Sequence, residues 1–308
     1  MRIHGVMTAK NEADVIGNVL EAATRWCDFI YVYDNGSVDG TWDIVQDLAR
    51  RHACILPVRR SDAPYTQLLR AEILGEFAER LRPGDWWCKL DADEIYIDRP
   101  RTFLERVPPE FDVIYGSSFQ FYFTDRDLER WEREPEAYAA SVPVEERLRW
   151  YRNNHSEPRF ARLNRPENWR AGNPTGRRTF PIRIWLKHYQ YRSPEQIQRR
   201  IEDRLEVARR GAGFRHEGMA GWGRSLGVAA AAPREGLDWR GRIVPAARLD
   251  FRADDDRWVS REAELRPLPL PAFREDLRGG WARLKLRMER RRQDKARRVR
   301  FPTGKETA

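Results

Sequence analysis

Trp86–Ile97 reads WWCKLDADEIYI. It starts as an apolar run of the kind that forms a buried strand. It then sets Asp91, Asp93 and Glu94 within four positions and turns apolar again. Carboxylates flanked by hydrophobic runs repel one another and resist burial. Either they form a solvated turn whose acids cap the next segment, or they surround a divalent cation. Mg²⁺ and Mn²⁺ prefer carboxylate oxygens, and a diphosphate supplies the remaining ligands.

Upstream of this stretch the text alternates. Arg2–Met7 has the pattern of a short strand, and TAKNEADVIGNVLEAATRW follows with Val15, Val19, Ala22, Ala23 and Trp26 at helical spacing. Phe29–Tyr33 is a second strand, and the polar loop DNGSVDG leads into the helical TWDIVQDLARR. Ala53–Val58 is a third strand, Tyr65–Leu81 a third helix with Leu68, Leu69, Ile73 and Phe77 on one stripe, and Asp85–Leu90 a fourth strand. Four strands alternating with three helices predict a right-handed βαβ repeat with parallel pairing. Ligands of such sheets gather beyond the carboxyl ends of the strands. Asn11 and Glu12 follow strand one, Asp34 and Asn35 end strand two, and Asp91 and Asp93 end strand four. The repeat therefore predicts that these groups share one rim.

Beyond Ile97 the alternation weakens. Asp112–Phe123 reads as one or two strands, Arg126–Asn154 as charged and partly helical, and Arg159–Arg183 as loop. Ile182–Tyr189 is a strand candidate followed by a charged helix, with Ser193, Pro194 and Gln196 as a capping box. From Gly211 the sequence is rich in Gly, Pro, Ala and Arg, with little periodicity.

The 308 residues suffice for one large core or a domain plus an extension, and 41% hydrophobic content excludes a wholly disordered chain. No apolar run approaches the roughly 20 residues of a membrane span. The start of the chain lacks a signal-peptide pattern, so a cytoplasmic protein is expected. Cys27, Cys54 and Cys88 fit no disulfide or zinc spacing and are read as buried thiols. A net charge of +9 points to anionic partners.

TAKNEADVIGNVL, YVYDNGSVDGT, LLRAEIL and KLDADEIYI, in that order, resemble family 2 glycosyltransferases of the GT-A fold across about residues 3–125. KHYQYRSPEQIQRRIEDR resembles the later part of related bacterial enzymes and extends the likeness to about residue 210. The resemblance implies an α/β fold with a Rossmann-like, mostly parallel sheet flanked by helices. Residues 1–125 would form the nucleotide-sugar-binding half and 126–210 the acceptor-binding half of the same domain; beyond the likeness, composition makes 211–308 a partly disordered C-terminal extension with a basic end. The resemblance implies Mg²⁺ or Mn²⁺, a nucleotide-sugar donor, and a glycan or lipid-linked acceptor such as those of envelope polysaccharides. Thr8, Ala9 and Glu12 match nucleoside contacts. Asp34 matches the acid that bonds the base, which favours the imide of UDP or dTDP. Arg70 matches an arginine near the nucleotide. Asp91 and Asp93 match the DxD motif, with Asp93 the direct metal ligand and Asp91 near ribose or sugar. His188 matches the later metal or diphosphate position. For the base that takes the acceptor proton in an inverting transfer, the candidates are Glu157 and Asp125, with Glu157 favoured; Glu94 supports the motif from behind.

Arg283–Arg300 is polybasic, with a short apolar stripe of Trp281, Leu284 and Met288. It is read either as a peripheral contact with anionic membrane or as a solvated tail. Nucleic acid is not expected, because interleaved aromatics are lacking. Two other readings remain open. One is a nucleotidyltransferase acting on a sugar phosphate, although TAKNEADVIGN has no glycine-rich phosphate loop. The other is a non-enzymatic anionic-surface binder acting through the basic tail.

Overall fold

The computed structural model describes residues 1–209, 238–249 and 251–252. In chain order the elements begin β1 (Ile3–Ala9), α1 (Ile16–Thr24), β2 (Phe29–Asp34), α2 (Thr41–Arg51), β3 (Ile55–Arg60), α3 (Leu69–Glu76) and β4 (Trp86–Asp91). They continue with β5 (Glu94–Tyr96), α4 (Pro100–Glu105), β6 (Val113–Phe121), α5 (Asp125–Arg133), α6 (Val144–Arg147), β7 (Trp150–Arg162), β8 (Ile184–Tyr189), α7 (Pro194–Arg209) and β9 (Phe251–Arg252). The strands form one sheet in the order β3-β2-β1-β4-β7-β6-β8-β5, with β9 on β7. The first four strands pair in parallel and β6 pairs in parallel with β8, whereas β7 and β5 are antiparallel to their neighbours. The sheet is thus mostly parallel, and β1, β2, β4, β6 and β8 send their carboxyl ends to one rim.

The period of two along β4 sorts its side chains. Trp86, Cys88 and Leu90 join the larger core with α1 and α2, while Trp87 packs on the other face with Ile73 and Leu74 of α3. Lys89 and Asp91 share the Trp87 face. The β4–β7 register sets Ala161 opposite Trp87; β7 bulges at Arg159 just beyond, and the bonds of Arg159 to Asp91 and of Lys89 to Glu157 bring both side chains to these β4 residues. Two strands and α3 therefore deliver five ionic side chains to one region before any ligand is considered.

The βαβ reading of the first 97 residues holds, with differences at the ends of elements. The third helix is shorter than the expected Tyr65–Leu81: it spans Leu69–Glu76, and a 3-10 turn follows at Ala78–Arg80. Asp112–Phe123 yields a single strand, β6, buried along its whole length. The expected loop from Arg159 is partly wrong, because β7 continues to Arg162. Its charged residues hid the strand; they face acids and a lysine rather than water. The short strand β5, beginning at Glu94, was not anticipated. Cys27 and Cys88 are buried as expected and Cys54 is half-buried; none is paired. At the start of α7 the Gln196 N–H donates to Ser193 Oγ at 3.3 Å. The return bond shifts by one residue, with the Arg192 N–H donating to Gln196 Oε1 at 3.0 Å.

Part of the C-terminal extension returns to the sheet. The Val244 N–H donates to Phe123 O at 3.3 Å, and the Ala246 N–H donates to Asp125 Oδ1 at 2.8 Å. The polybasic Arg283–Arg300 stretch lies outside the described residues, and so do most of the remaining positions after 210. No helix among the described residues is long and apolar enough to cross a membrane.

Gly172 fixes the loop that closes over the start of α3. Its φ is +73°, and a Cβ there would lie 2.0 Å from Gln67 O, a backbone atom. Alanine would strain φ and push Gln67 and Leu68 aside. Gly172→Ala should lower stability by at least about 2 kcal/mol, read from urea unfolding; a wild-type midpoint would refute the packing.

Candidate functional site

A cavity of about 560 Å³ opens at the carboxyl rim. Its lining includes Thr8, Ala9 and Glu12 after β1, Asn35 after β2, and Arg70 from α3. Asp91 and Asp93 come from the end of β4, Glu157 from β7 and His188 from β8. Five basic side chains (Lys10, Arg70, Lys89, Arg200, Arg204) and five carboxylates (Glu12, Asp91, Asp93, Glu157, Asp203) face it. Two of the predicted residues lie elsewhere. Asp34 is fully buried, and its Oδ1 accepts the Ser37 N–H at 2.7 Å; its neighbour Asn35 reaches the cavity. Asp125 begins α5 away from the lining, and its Oδ1 accepts the N–H groups of Arg126 and Ala246.

The three acids of Trp86–Ile97 are held by two separate sets of partners. Asp91 and Glu94 turn to Arg159, which is completely buried. Arg159 donates through Nη1 to Asp91 Oδ2 at 2.7 Å, and through Nη2 to Glu157 Oε1 at 2.8 Å and to Glu94 Oε1. Lys89 Nζ adds a bond to Glu157 Oε2 at 2.6 Å, and Arg70 Nη2 one to Asp91 Oδ1 at 2.9 Å. Gly116 on β6 makes room, since a Cβ there would stand 2.9 Å from Arg159 Cγ. Oxygens of Asp91, Glu94 and Glu157 lie within 4.8 Å of one another, close enough to hold a metal ion. The guanidinium of Arg159 already bonds all three, so this trio is neutralised from within the chain. Burial would raise the Asp91 carboxyl, but Lys89, Arg159 and Arg70 outweigh it and hold it below the usual range. At Glu94, burial and then the neighbouring acids prevail over Arg159, and the carboxyl is pushed far up.

Asp93 belongs to the second set. Its Oδ2 lies 3.3 Å from His188 Nε2 and 3.6 Å from Arg200 Nη1. His188 Nδ1 is 2.8 Å from Gln120 Nε2, which fixes the ring. Burial opposes ionisation of Asp93, yet His188, Arg200 and Arg192 hold its carboxyl well below the usual range. Asp93 is therefore an ionised oxygen donor beside an imidazole nitrogen at the cavity wall.

The loop after β1 is set by Asn11, in the left-handed region at φ 54°. Asparagine tolerates this conformation, and here its side chain is held from both sides. Its Oδ1 accepts the Val38 N–H at 2.9 Å and its Nδ2 donates to Asp203 Oδ2 at 2.6 Å. Glu12 is thereby placed against Arg192, a buried residue that also holds Asp14 at 2.8 Å. Burial pushes the Glu12 carboxyl up to about 7, against the pull of Arg192.

Sequence reasoning missed Lys89, Arg159, Arg192, Arg200 and Asp203. Lys89 was visible as the one charge inside WWCKL. Arg192 and Arg200 stand within the KHYQYRSPEQIQRR segment that drew attention to His188. Arg159 left no signal, because its strand reads as loop.

No protein-family model and no curated protein matches the chain. Solved structures overlap it weakly, three of them as follows. A mannosyltransferase from Pyrobaculum calidifontis, solved with GDP-Man and Mn²⁺, is 13% identical over 98% of this chain and 88% of its own, with a TM-score of 0.34. S. aureus TarS (residues 1–349) is 10% identical over 77% and 69%, with a TM-score of 0.33. A mycobacterial protein is 14% identical over 71% and 78%, with a TM-score of 0.26. Overlap at this level assigns neither substrate nor chemistry.

Proposed function

We propose that the chain is a metal-dependent glycosyltransferase. It moves a sugar from a nucleotide-sugar donor, UDP- or dTDP-linked, to a hydroxyl of a glycan or lipid-linked acceptor, with inversion. One observation carries this reading: ionised Asp93 and the His188 Nε2, 3.3 Å apart, line a strand-end cavity whose other walls carry arginines and Glu157. The motif resemblance supports it independently.

The donor set fits a divalent ion. A carboxylate and an imidazole suit Mn²⁺ or Mg²⁺, with phosphate oxygens completing the shell. Asp93 and His188 would hold it, His188 through Nε2 with its proton on Nδ1 and the Gln120 amide turned so that Oε1 accepts it. Asp91 would act through Arg70 and Arg159, which bond its two oxygens. When bound, the ion offsets charge developing on the departing diphosphate.

The remaining roles fall to this chain's own side chains. Thr8, Ala9 and Asn35 border the nucleoside end. Arg70, with its planar fork, and Arg200 are placed for phosphate oxygens. Buried Asp34 shapes the turn before Asn35. Glu157 takes the proton of the attacking hydroxyl; its side chain keeps 29% exposure, and Lys89 and Arg159 fix its orientation. The acceptor half spans 126–210.

The test is release of nucleoside diphosphate from a panel of UDP- and dTDP-sugars with Mn²⁺ and glycan acceptors. Glu157→Gln should lower kcat by about 10²–10⁴-fold, the range for a lost general base, with donor affinity unchanged. A panel without turnover removes the transferase reading. Wild-type turnover by E157Q removes only the base assignment.

A further inference from the structure

A second cavity, of about 480 Å³, opens where α5, α6 and the start of β7 meet. Four arginines face it: Arg126 and Arg130 from α5, Arg147 from α6, and Arg149 just before β7. Its one carboxylate among the described lining residues is Asp127, which is occupied. Asp127 Oδ2 accepts the Thr124 N–H at 2.8 Å and the Thr124 hydroxyl at 2.6 Å, and its Oδ1 accepts the Tyr138 hydroxyl at 2.9 Å. Burial raises its carboxyl, against the hydrogen bonds from Thr124 and Tyr138.

Arg147 marks this as more than a solvated basic surface. Its side chain is fully buried. It donates to Asp14 Oδ2 at 3.2 Å and Asp14 O at 2.6 Å, while its Nε has no hydrogen-bond partner. Asp14 is shared with Arg192, which bonds it more closely at 2.8 Å. Arg147 is thus a buried cation with half a counter-charge. Among the described residues, Arg126 and Arg130 form ion pairs with the surface acids Glu129 at 3.2 Å and Glu134 at 3.7 Å, and Arg130 also lies over the Tyr138 ring, 5.7 Å from its centroid. Such exposed pairs contribute little and exchange readily for a better anion.

We propose that this cavity is an oxyanion site that takes a phosphate group, free or carried by a sugar. Several guanidinium forks converging on one space match the oxygens of a phosphate. Trp150 lines the same space and offers a flat apolar surface for a sugar ring. The site is distinct from the rim cavity: six residues of β7 lie between Trp150 and Glu157, on the order of 20 Å of strand. It stands whether or not the rim cavity transfers a sugar.

Calorimetric titration of the full chain tests it, with inorganic phosphate and glucose 1-phosphate as probes. Arg126→Gln with Arg130→Gln changes exposed side chains only and should leave folding intact. The wild type should bind phosphate saturably, and the double variant should bind about tenfold more weakly or not at all. Arg149→Gln should weaken binding in the same direction. If glucose 1-phosphate binds more tightly than phosphate and Trp150→Ala removes the difference, the ligand is a sugar phosphate; equal affinities identify free phosphate. No saturable binding by the wild type, or undiminished binding by R126Q/R130Q, overturns the site.

Discussion

Asparagine in place of Asp93 should leave the protein folded and lower nucleoside diphosphate release by roughly 10²–10³-fold, the range for removing one electrostatic stabiliser of a developing charge. The substitution keeps the size of the side chain and removes only its charge. That charge is present at neutral pH, because His188, Arg200 and Arg192 prevail over burial. A depressed carboxyl contributes stability above its unfolded pKa and loses it as pH falls through the folded one. At neutral pH D93N therefore forfeits some stability, and calorimetry should show a modest drop in Tm. The catalytic loss should be far larger than the stability loss. Removal of metal by EDTA should bring the wild type down to the rate of D93N and leave D93N unchanged. Mn²⁺ should raise the Tm of the wild type in the presence of UDP and raise that of D93N much less. D93N with wild-type turnover would break the assignment. EDTA-resistant turnover by the wild type would shift charge neutralisation to Arg70 and Arg200.

The readable part of the sequence was the part in which burial and periodicity agree. Each of the first four strands is apolar and is followed by a segment with a helical stripe or a turn, so the rim could be inferred from order alone. Asp93, Asp91 and Glu12 were reached in that way, Arg70 and His188 came from the resemblance, and Glu157 from loop composition. The inference stopped where charge entered a strand. In β7 the residues Glu157 and Arg159 alternate toward the acids of β4, so a buried strand has the composition of a surface loop. Asp34 shows the opposite limit. A polar residue at a strand end suggests a ligand contact, yet it is fully buried and accepts its own turn's N–H. Sequence spacing placed it at the rim and was silent on which way its carboxylate faces. Arg192 and Arg200 depend on α7 packing back over the loop after β1, a contact between residues 180 positions or more apart.

Arg159→Met should destabilise the fold by about 3–5 kcal/mol, the cost of stripping the partner from a buried ion pair. Domains of this kind have only about 5–15 kcal/mol in total, so this variant stands near the threshold of folding. The reason is geometric. Among the described residues, the Arg159 fork is the one cation in contact with Asp91, Glu94 and Glu157 together, and their oxygens lie within 4.8 Å. Lysine should not replace it, because one compact ammonium cannot span three carboxylates and Lys89 already bonds one of them. The pH dependence separates lost charge pairing from lost packing. Without the guanidinium the acids repel and their folded pKa values rise. Groups with raised carboxyl pKa values take up protons on folding and lose stability as pH climbs. The deficit of R159M in chemical denaturation should therefore shrink between pH 8 and pH 5. An equal deficit at both would assign it to a cavity instead. Adding Glu94→Gln and Glu157→Gln to R159M replaces two of the three carboxyls with neutral amides and should recover a large part of the loss. Full stability of R159M at pH 8 would mean that the three carboxyls do not need the Arg159 guanidinium, and the account of what holds DADE in place would fail with it.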